Sequence, residues 1–419
     1  MDTDCLLLLC SAVSFVEVTG NSCIVFAWLE SSFEKNANFS RRSQLRAADD
    51  FVALQKARNF LTSYARPLDF ISWHQRFISI NELASPRWTL FVTTEKWVYF
   101  TYGPRTMQQY NASEVPFIPS SQFDDAWLLA RVSVPQFAAA CPKYFPVPKC
   151  HIIYAGNCPR AGTTLTTKLM QAVSHKVIAL SEPDIFSHLA YLRDEGVFDT
   201  VILQHLLRSA LAHICLTFST DQVCFVKPMS SGNTLSRHIA LALPSVKHVF
   251  IYRRSWEKVL ASFERLLFVD NNGEIWVRLL RLPEFPLWLK KYSLWFMRHE
   301  PGFQNRMPYI SDSLDLAFIM CFLPYVRYCS DRDSLPILPV VYEDIISDPR
   351  NFMKEFCDNL SIPDANIEAA VAAMNSDSQA GSALSQENLS QVKKATPLTP
   401  EKAEYYNSVC RQFNIDPIF

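Results

Sequence analysis

The sequence predicts an α/β protein: a parallel β-sheet flanked by helices, preceded by an N-terminal α+β extension. Three observations point there. From His151 onward, short apolar runs alternate with segments of helical periodicity. Those runs lack polar alternation, as strands buried on both faces do. Prolines cluster at 116, 119, 135, 142, 146 and 148 and stop just short of the first run. They divide an N-terminal accessory unit, 1–148, from the sheet-bearing unit, 149–419.

The chain has 419 residues, 49% hydrophobic and 19% charged, which is a globular composition. Its net charge of -1 provides no field to hold nucleic acid, so any anion site must be built locally. The 12 cysteines include no CxxC pair and no zinc spacing. Several, such as Cys224 and Cys321, sit in apolar runs, which favours a reducing compartment and a cytoplasmic protein. Leu6–Phe15 has the length of a secretory apolar region. Asp2 and Asp4 precede it where positive charge is needed, and Glu17 interrupts it. A hairpin is preferred there, Ser14–Val18 and Cys23–Leu29 about a Thr19-Gly20-Asn21-Ser22 turn. No other segment is long and apolar enough to span a bilayer.

In chain order, Arg41–Tyr64 reads as a helix with apolar Leu45, Phe51, Leu54, Phe60 and Leu61 and a solvated basic face at Arg41, Arg42 and Arg46. Trp88–Tyr102 reads as a hairpin turning at Thr94-Glu95-Lys96. Strands are then expected at 151–155, 177–180, 223–226, 248–252 and 338–342. Helices are expected from Thr163, through Tyr191, over 201–218, 234–243, 256–268 and 314–328, and through Phe352 and Phe356. The Trp- and Pro-rich stretch 276–308 reads equally well as an acceptor-pocket lining or as a packed extension. Ligands of parallel sheets bind beyond the carboxyl ends of the strands, so residues following each strand are the candidates.

After the first run comes Gly156-Asn157-Cys158-Pro159-Arg160-Ala161-Gly162-Thr163-Thr164. A tight loop opening a helix offers unpaired backbone N–H groups to an anion. Gly162 permits close approach, Thr163 and Thr164 add hydroxyls, and Arg160 adds a forked charge. A plain surface turn is the alternative, but the chain has only 9 glycines and two of them bracket Pro159-Arg160. Five residues separate these glycines and Thr163 stands where a nucleotide triphosphatase needs Lys. After the second run, Ser181-Glu182-Pro183-Asp184 offers Glu182 as a general base or as an N-cap, and Asp184 as helix-start charge. After the third, Lys227 either neutralises charge in the site or is a surface lysine. After the fourth, Arg254 and Ser262 are spaced to converge on one anion.

These blocks together resemble the sulfotransferase superfamily over about residues 150–360. Pro159–Thr164 is similar to its 5′-phosphosulfate loop, and Arg254–Ser262 to its 3′-phosphate segment. Val341-Tyr342-Glu343-Asp344 with Asp348-Pro349 resembles its Tyr-Glu-Asp…Asp-Pro segment. Leu180–Asp184 resembles a sulfotransferase-like branch. The resemblance implies a P-loop NTPase-like fold and 3′-phosphoadenosine 5′-phosphosulfate (PAPS) as co-substrate, with no metal. It implies that Pro159, Arg160, Ala161, Gly162, Thr163, Thr164 and Leu165 hold the 5′-phosphate and that Arg254 and Ser262 hold the 3′-phosphate. Arg160 and Lys227 are assigned to the sulfuryl and leaving-group oxygens. The acceptor would be a hydroxyl or amine of a small molecule, carbohydrate or lipid. Four positions depart from the cytosolic members. Arg160 replaces Lys, Met229 replaces the catalytic His, and Leu165 replaces the Trp that stacks on adenine. Ser378–Ser382, with Lys393 and Lys394 beyond, stands where an Arg-Lys-Gly loop is usual. With the His missing, Glu182 is the candidate base. Two rivals remain: a catalytically silent nucleotide-binding module, and a P-loop kinase, against which Tyr252-Arg253-Arg254 counts because a metal-holding Asp should end that strand.

Overall fold

The computed structural model describes residues 47–56, 65–267, 312–380, 385–390, 392 and 395–419. Among the described residues ten strands form two sheets. The N-terminal sheet contains β1 (Ala47–Lys56), β2 (Phe70–Ser79), β3 (Trp88–Thr93), β4 (Trp97–Tyr102) and β5 (Leu128–Ser133), in the order β2-β1-β5-β4-β3 and antiparallel throughout. The hairpin expected at 88–102 is β3–β4.

Of the helix expected over 41–64, the described residues 47–56 are instead the strand β1, paired with β2 and β5, and 41–46 and 57–64 lie outside the described residues. Two register shifts, between Asp50 and Phe51 and between Ala53 and Gln55, interrupt its pairing with β2. Bulges break the two-residue alternation that marks a strand, and the spacing that results imitates a helical face. The hairpin expected at 14–29, the basic residues 41, 42 and 46, and the stretch 276–308 lie outside the described residues.

The second sheet is the expected parallel one. It comprises β6 (His151–Asn157), β7 (Val177–Ser181), β8 (Val223–Lys227), β9 (Lys247–Tyr252) and β10 (Ile337–Val341), in the order β10-β9-β6-β8-β7. Its strands are apolar on both sides because both faces are covered. Ile152, Tyr154, Ile178, Leu180, Cys224 and Val226 face one apolar cluster. Ile153, Ala155, Val177, Ala179, Phe225 and Val249 face another. On the second face lie α1 (Thr163–Val173) and, later in the chain, a helix at Pro349–Leu360. On the first lie α2 (Asp184–Asp194) and α3 (Thr200–Ile214), with the N-terminal sheet stacked outside them. Beyond the sheet, α4 (Trp256–Leu267) packs against α5 (Ser313–Asp331) in a third cluster. Two expected helices differ at their ends. The one expected over 234–243 begins as a 3-10 turn at Ser230–Leu235 and is α-helical over Ser236–Ala242. The one expected over 201–218 stops at Ile214, capped by Cys215. Among the described residues no helix is long and apolar enough to cross a membrane.

The first apolar cluster runs unbroken from Leu90 and Phe100 of the N-terminal sheet to Leu206 and Leu211 of α3. His213 sits within that contact. Its ring stands edge-on to Phe100 and Phe145 at 4.9 Å from each, and Nε2 bonds the Leu83 carbonyl at 3.0 Å. Burial holds its pKa down at about 4, so the folded chain keeps this ring neutral. The unfolded chain protonates it near 6.5 and therefore binds more protons between those values. This contribution is intact above pH 6.5 and is lost as pH falls towards about 4. Urea unfolding across that interval should show stability falling with pH, and His213→Gln should flatten the slope. An unchanged slope would mean that His213 does not couple the two layers in this way.

Candidate functional site

Because β10, β9, β6, β8 and β7 are parallel neighbours, their carboxyl ends share one rim. The loop after β6, Glu182 after β7, Lys227 at the end of β8, Arg253 and Arg254 after β9, and Tyr342–Asp344 after β10 all stand on it. The topology thus brings every strand-end candidate to one side of the sheet.

The loop is fixed from below. Asn157 N–H donates to Asn233 Oδ1 and Asn233 Nδ2 returns a bond to the Asn157 carbonyl, both at 2.8 Å. Asn157 Nδ2 also donates to Pro228 O at 2.9 Å. Cys158 turns into the core, and its N–H meets Ile251 O at 2.8 Å. Gly162 is the N-cap of α1, with φ 76°, and no side chain caps the helix there. The first N–H groups of a helix need partners, and here they face the rim without a side-chain cap. Thr163 is buried and Thr164 half-buried, its Oγ1 lying 3.5 Å from Gln379 Nε2. Gln379, of the Ser378–Ser382 segment, therefore reaches the start of α1. Pro159 is half-buried, Ala161 is buried beside Phe250, and Leu165 packs under the sheet with the second-face cluster.

Three charged groups gather beside the loop. Lys227 is buried, 1% exposed, and its ammonium donates to Glu182 Oε1. The Glu182 N–H also meets the Lys227 carbonyl at 2.6 Å. Arg160 donates from Nε to Ser262 Oγ at 2.9 Å. Burial pushes the Arg160 guanidinium below its usual range, with the Glu182 carboxylate among the charges working the other way. Arg160 and Glu182 both adopt left-handed backbone, φ 59° and 61°. For residues with a Cβ this costs about 1–2 kcal/mol each. A fold that keeps two such residues at one rim holds their side chains in place against local preference.

Arg254 lies differently. Its guanidinium forms a forked pair with Asp344, at 2.6 and 2.9 Å, and its side chain is 59% exposed. Ser262 meets Arg160, not Arg254. Neighbouring Arg253 lies over the Tyr342 ring at 4.4 Å and bonds Glu343 at 3.3 Å. Glu343 also accepts the N–H groups of Arg254 and Ser255 at 2.9 and 3.1 Å. It thereby supplies acceptors at the start of α4 from a different strand end, as an N-cap would. Asp348 caps the following helix through Asn351 N–H at 3.2 Å. The Tyr-Glu-Asp…Asp-Pro block is in this chain a clamp that ties β10 to the segment after β9. Asp184 is more than helix-start charge: it is buried and accepts Ala65 N–H at 2.8 Å.

Sequence reasoning missed the Asn157–Asn233 exchange, the Tyr342 contact and two buried hydroxyls, Ser181 Oγ and Ser231 Oγ, which have no hydrogen-bond partner among the described residues. Ser181 pairs with Lys227 in the β7–β8 register, so strand alternation and pairing were the only signals for it. Among the described residues no cluster of three or more acidic, His or Cys side chains is arranged to hold a metal ion.

No family model and no curated protein matches the sequence. Solved structures similar to the chain include the sulfotransferase domain from the Synechococcus PCC 7002 olefin synthase, at 16% identity, covering 64% of this chain and 96% of that one, with a TM-score of 0.31. The sulfotransferase domain from the curacin biosynthetic pathway matches at 13% identity, covering 64% and 98%, with a TM-score of 0.35. A sulfotransferase from Alicyclobacillus acidocaldarius matches at 12% identity, covering 63% and 96%, with a TM-score of 0.32.

Gly162 and Gly196 have nearly the same backbone, φ 76° and 73°. A Cβ on Gly162 would fall 2.1 Å from Tyr342 Cδ2, whereas one on Gly196 would meet nothing within 4 Å. Gly196→Ala should therefore cost about 1 kcal/mol, the left-handed penalty alone. Gly162→Ala should cost several times that by chemical unfolding, because the Tyr342 ring must also move. Equal costs would show that Tyr342 does not buttress the loop.

Proposed function

We propose that the chain is a sulfotransferase that moves a sulfuryl group from PAPS to a hydroxyl or amine acceptor. The observation that carries this reading is the convergence on one rim of an uncapped helix start, the Arg160 guanidinium and the Lys227–Glu182 pair. The resemblance of Pro159–Thr164 to a 5′-phosphosulfate loop supports the same donor. A loose, in-line sulfuryl transfer asks a protein for positioning and charge stabilisation, as phosphoryl transfer does.

In this mechanism the N–H groups of Gly162–Leu165 and the Thr163 and Thr164 hydroxyls hold the 5′-phosphate, with Pro159 and Ala161 shaping the turn. Arg160 neutralises the sulfuryl oxygens; burial makes its charge one that an anion stabilises. Glu182 takes the acceptor proton as the new O–S or N–S bond forms. The bond from sulfur to the bridging oxygen breaks, and adenosine 3′,5′-bisphosphate leaves. Once protonated, Glu182 no longer holds the Lys227 ammonium by charge, which frees Lys227 to donate to the bridging oxygen. Arg254 and Ser262 serve the 3′-phosphate. An exposed Arg254–Asp344 pair is worth only about 0–1 kcal/mol, so a phosphate dianion can displace Asp344 from it. The acceptor class is a small molecule, a carbohydrate or a lipid. One observation favours a second reading, a silent nucleotide-binding module: the Glu182 carboxylate is already engaged by Lys227.

A screen of hydroxyl and amine acceptor pools with sulfur-labelled PAPS separates the two readings. Transfer is expected, and Glu182→Gln should slow it by roughly 10²-fold or more while adenosine 3′,5′-bisphosphate still raises the melting temperature. ATP with Mg²⁺ should give no such rise. Bisphosphate binding with no transfer to any pool would favour the silent module; a shift with ATP and Mg²⁺ alone would favour a kinase.

A further inference from the structure

The N-terminal unit reaches the Lys227–Glu182 pair from three directions. Ahead of Glu182, Asn111 bridges Leu180 and Ala112 N–H donates to Ala179 O at 2.9 Å, so this segment adds to the edge of β7. Further along the same segment, the Phe117 ring centre lies 6.0 Å from Lys227 Nζ. After Glu182, Asp184 accepts the Ala65 N–H at 2.8 Å. His188, one turn on, places its ring nitrogens 2.9 Å from Thr93 O and 2.7 Å from Ala65 O. Glu182 itself has φ 61°. Strain of that kind persists only where the surroundings over-determine it, and these contacts bracket the strained residue on both sides.

We propose that the N-terminal unit is a wall of the site and not an appendage. Phe117 covers the Lys227 ammonium and shields it from water, and Asp184 and His188 are positioning residues that hold Glu182 against it. A desolvated ammonium interacts more strongly with both its carboxylate and a developing anion. The catalytic consequence rests on the sulfotransferase reading; the wall itself does not, and the test separates them.

The test is amine-directed labelling of the full chain by reductive methylation, read peptide by peptide by mass spectrometry. Exposed Lys149 is the internal reference, and thiol labelling of fully buried Cys224 reports global opening. Lys227 should label slowly in the wild type. Phe117→Ala should speed it roughly tenfold, with Cys224 still protected. Asp184→Ala should do the same, whereas Asp184→Asn, which keeps an acceptor for the Ala65 N–H, should stay near the wild-type rate. If Phe117→Ala also exposes Cys224, Phe117→Leu takes its place: a rise confined to Lys227 supports the wall, and no rise contradicts it. An unchanged Lys227 rate in both the Phe117 and Asp184 alanine variants overturns the proposal. Calorimetry with adenosine 3′,5′-bisphosphate on the same proteins tests the other reading separately. A wild type that binds none of it, with labelling as expected, removes the sulfotransferase and leaves the wall.

Discussion

The parallel ladder centred on β6 is the constraint from which the rest follows. Parallel pairing sends every strand end to the same rim, so residues distant in sequence become neighbours without any side chain needing to select its partner. The ladder alone would leave a flexible rim. Rigidity comes from what crosses it: Asn157 with Asn233, Tyr342 against Gly162, and Glu343 against the backbone of Arg254 and Ser255. Each crossing joins the ends of two different strands, so the loop is held directly to the segment after β8 and to β10, and through β10 to the segment after β9.

Electrostatics on this rim divides in two. Towards β8 and β7, Lys227 is buried and Glu182 half-buried, and removing Glu182 would strand the Lys227 ammonium at a cost of about 3–5 kcal/mol. Towards β9 and β10, Arg254 and Asp344 are exposed and screened. The inner pair is held by burial, whereas the outer pair is open to exchange with solvent ions.

Much of this was legible in the sequence. Strands buried on both faces announce themselves as unbroken apolar runs, and all five of the parallel sheet were found within two residues at either end. The loop was legible because glycine is scarce and two glycines bracket it. The strand β1 was not, because its bulges erase the alternation that a reader counts. Nor were the partners of Arg254 and Ser262: Asp344 lies 90 residues from Arg254, and Arg160 lies 102 from Ser262. Spacing within a helix says which face a residue occupies, but not which distant strand end will meet it. The left-handed backbone at Glu182 left no mark either, since glutamate carries no preference for it.

The most direct test of the account is a crystal structure of the chain grown with adenosine 3′,5′-bisphosphate. The 5′-phosphate is expected on the N–H groups of Thr163 and Thr164 beside Arg160, with the 3′-phosphate having drawn Arg254 off Asp344. A bisphosphate bound away from this rim, or bound while Arg254 stays on Asp344 and no phosphate touches the start of α1, would contradict it.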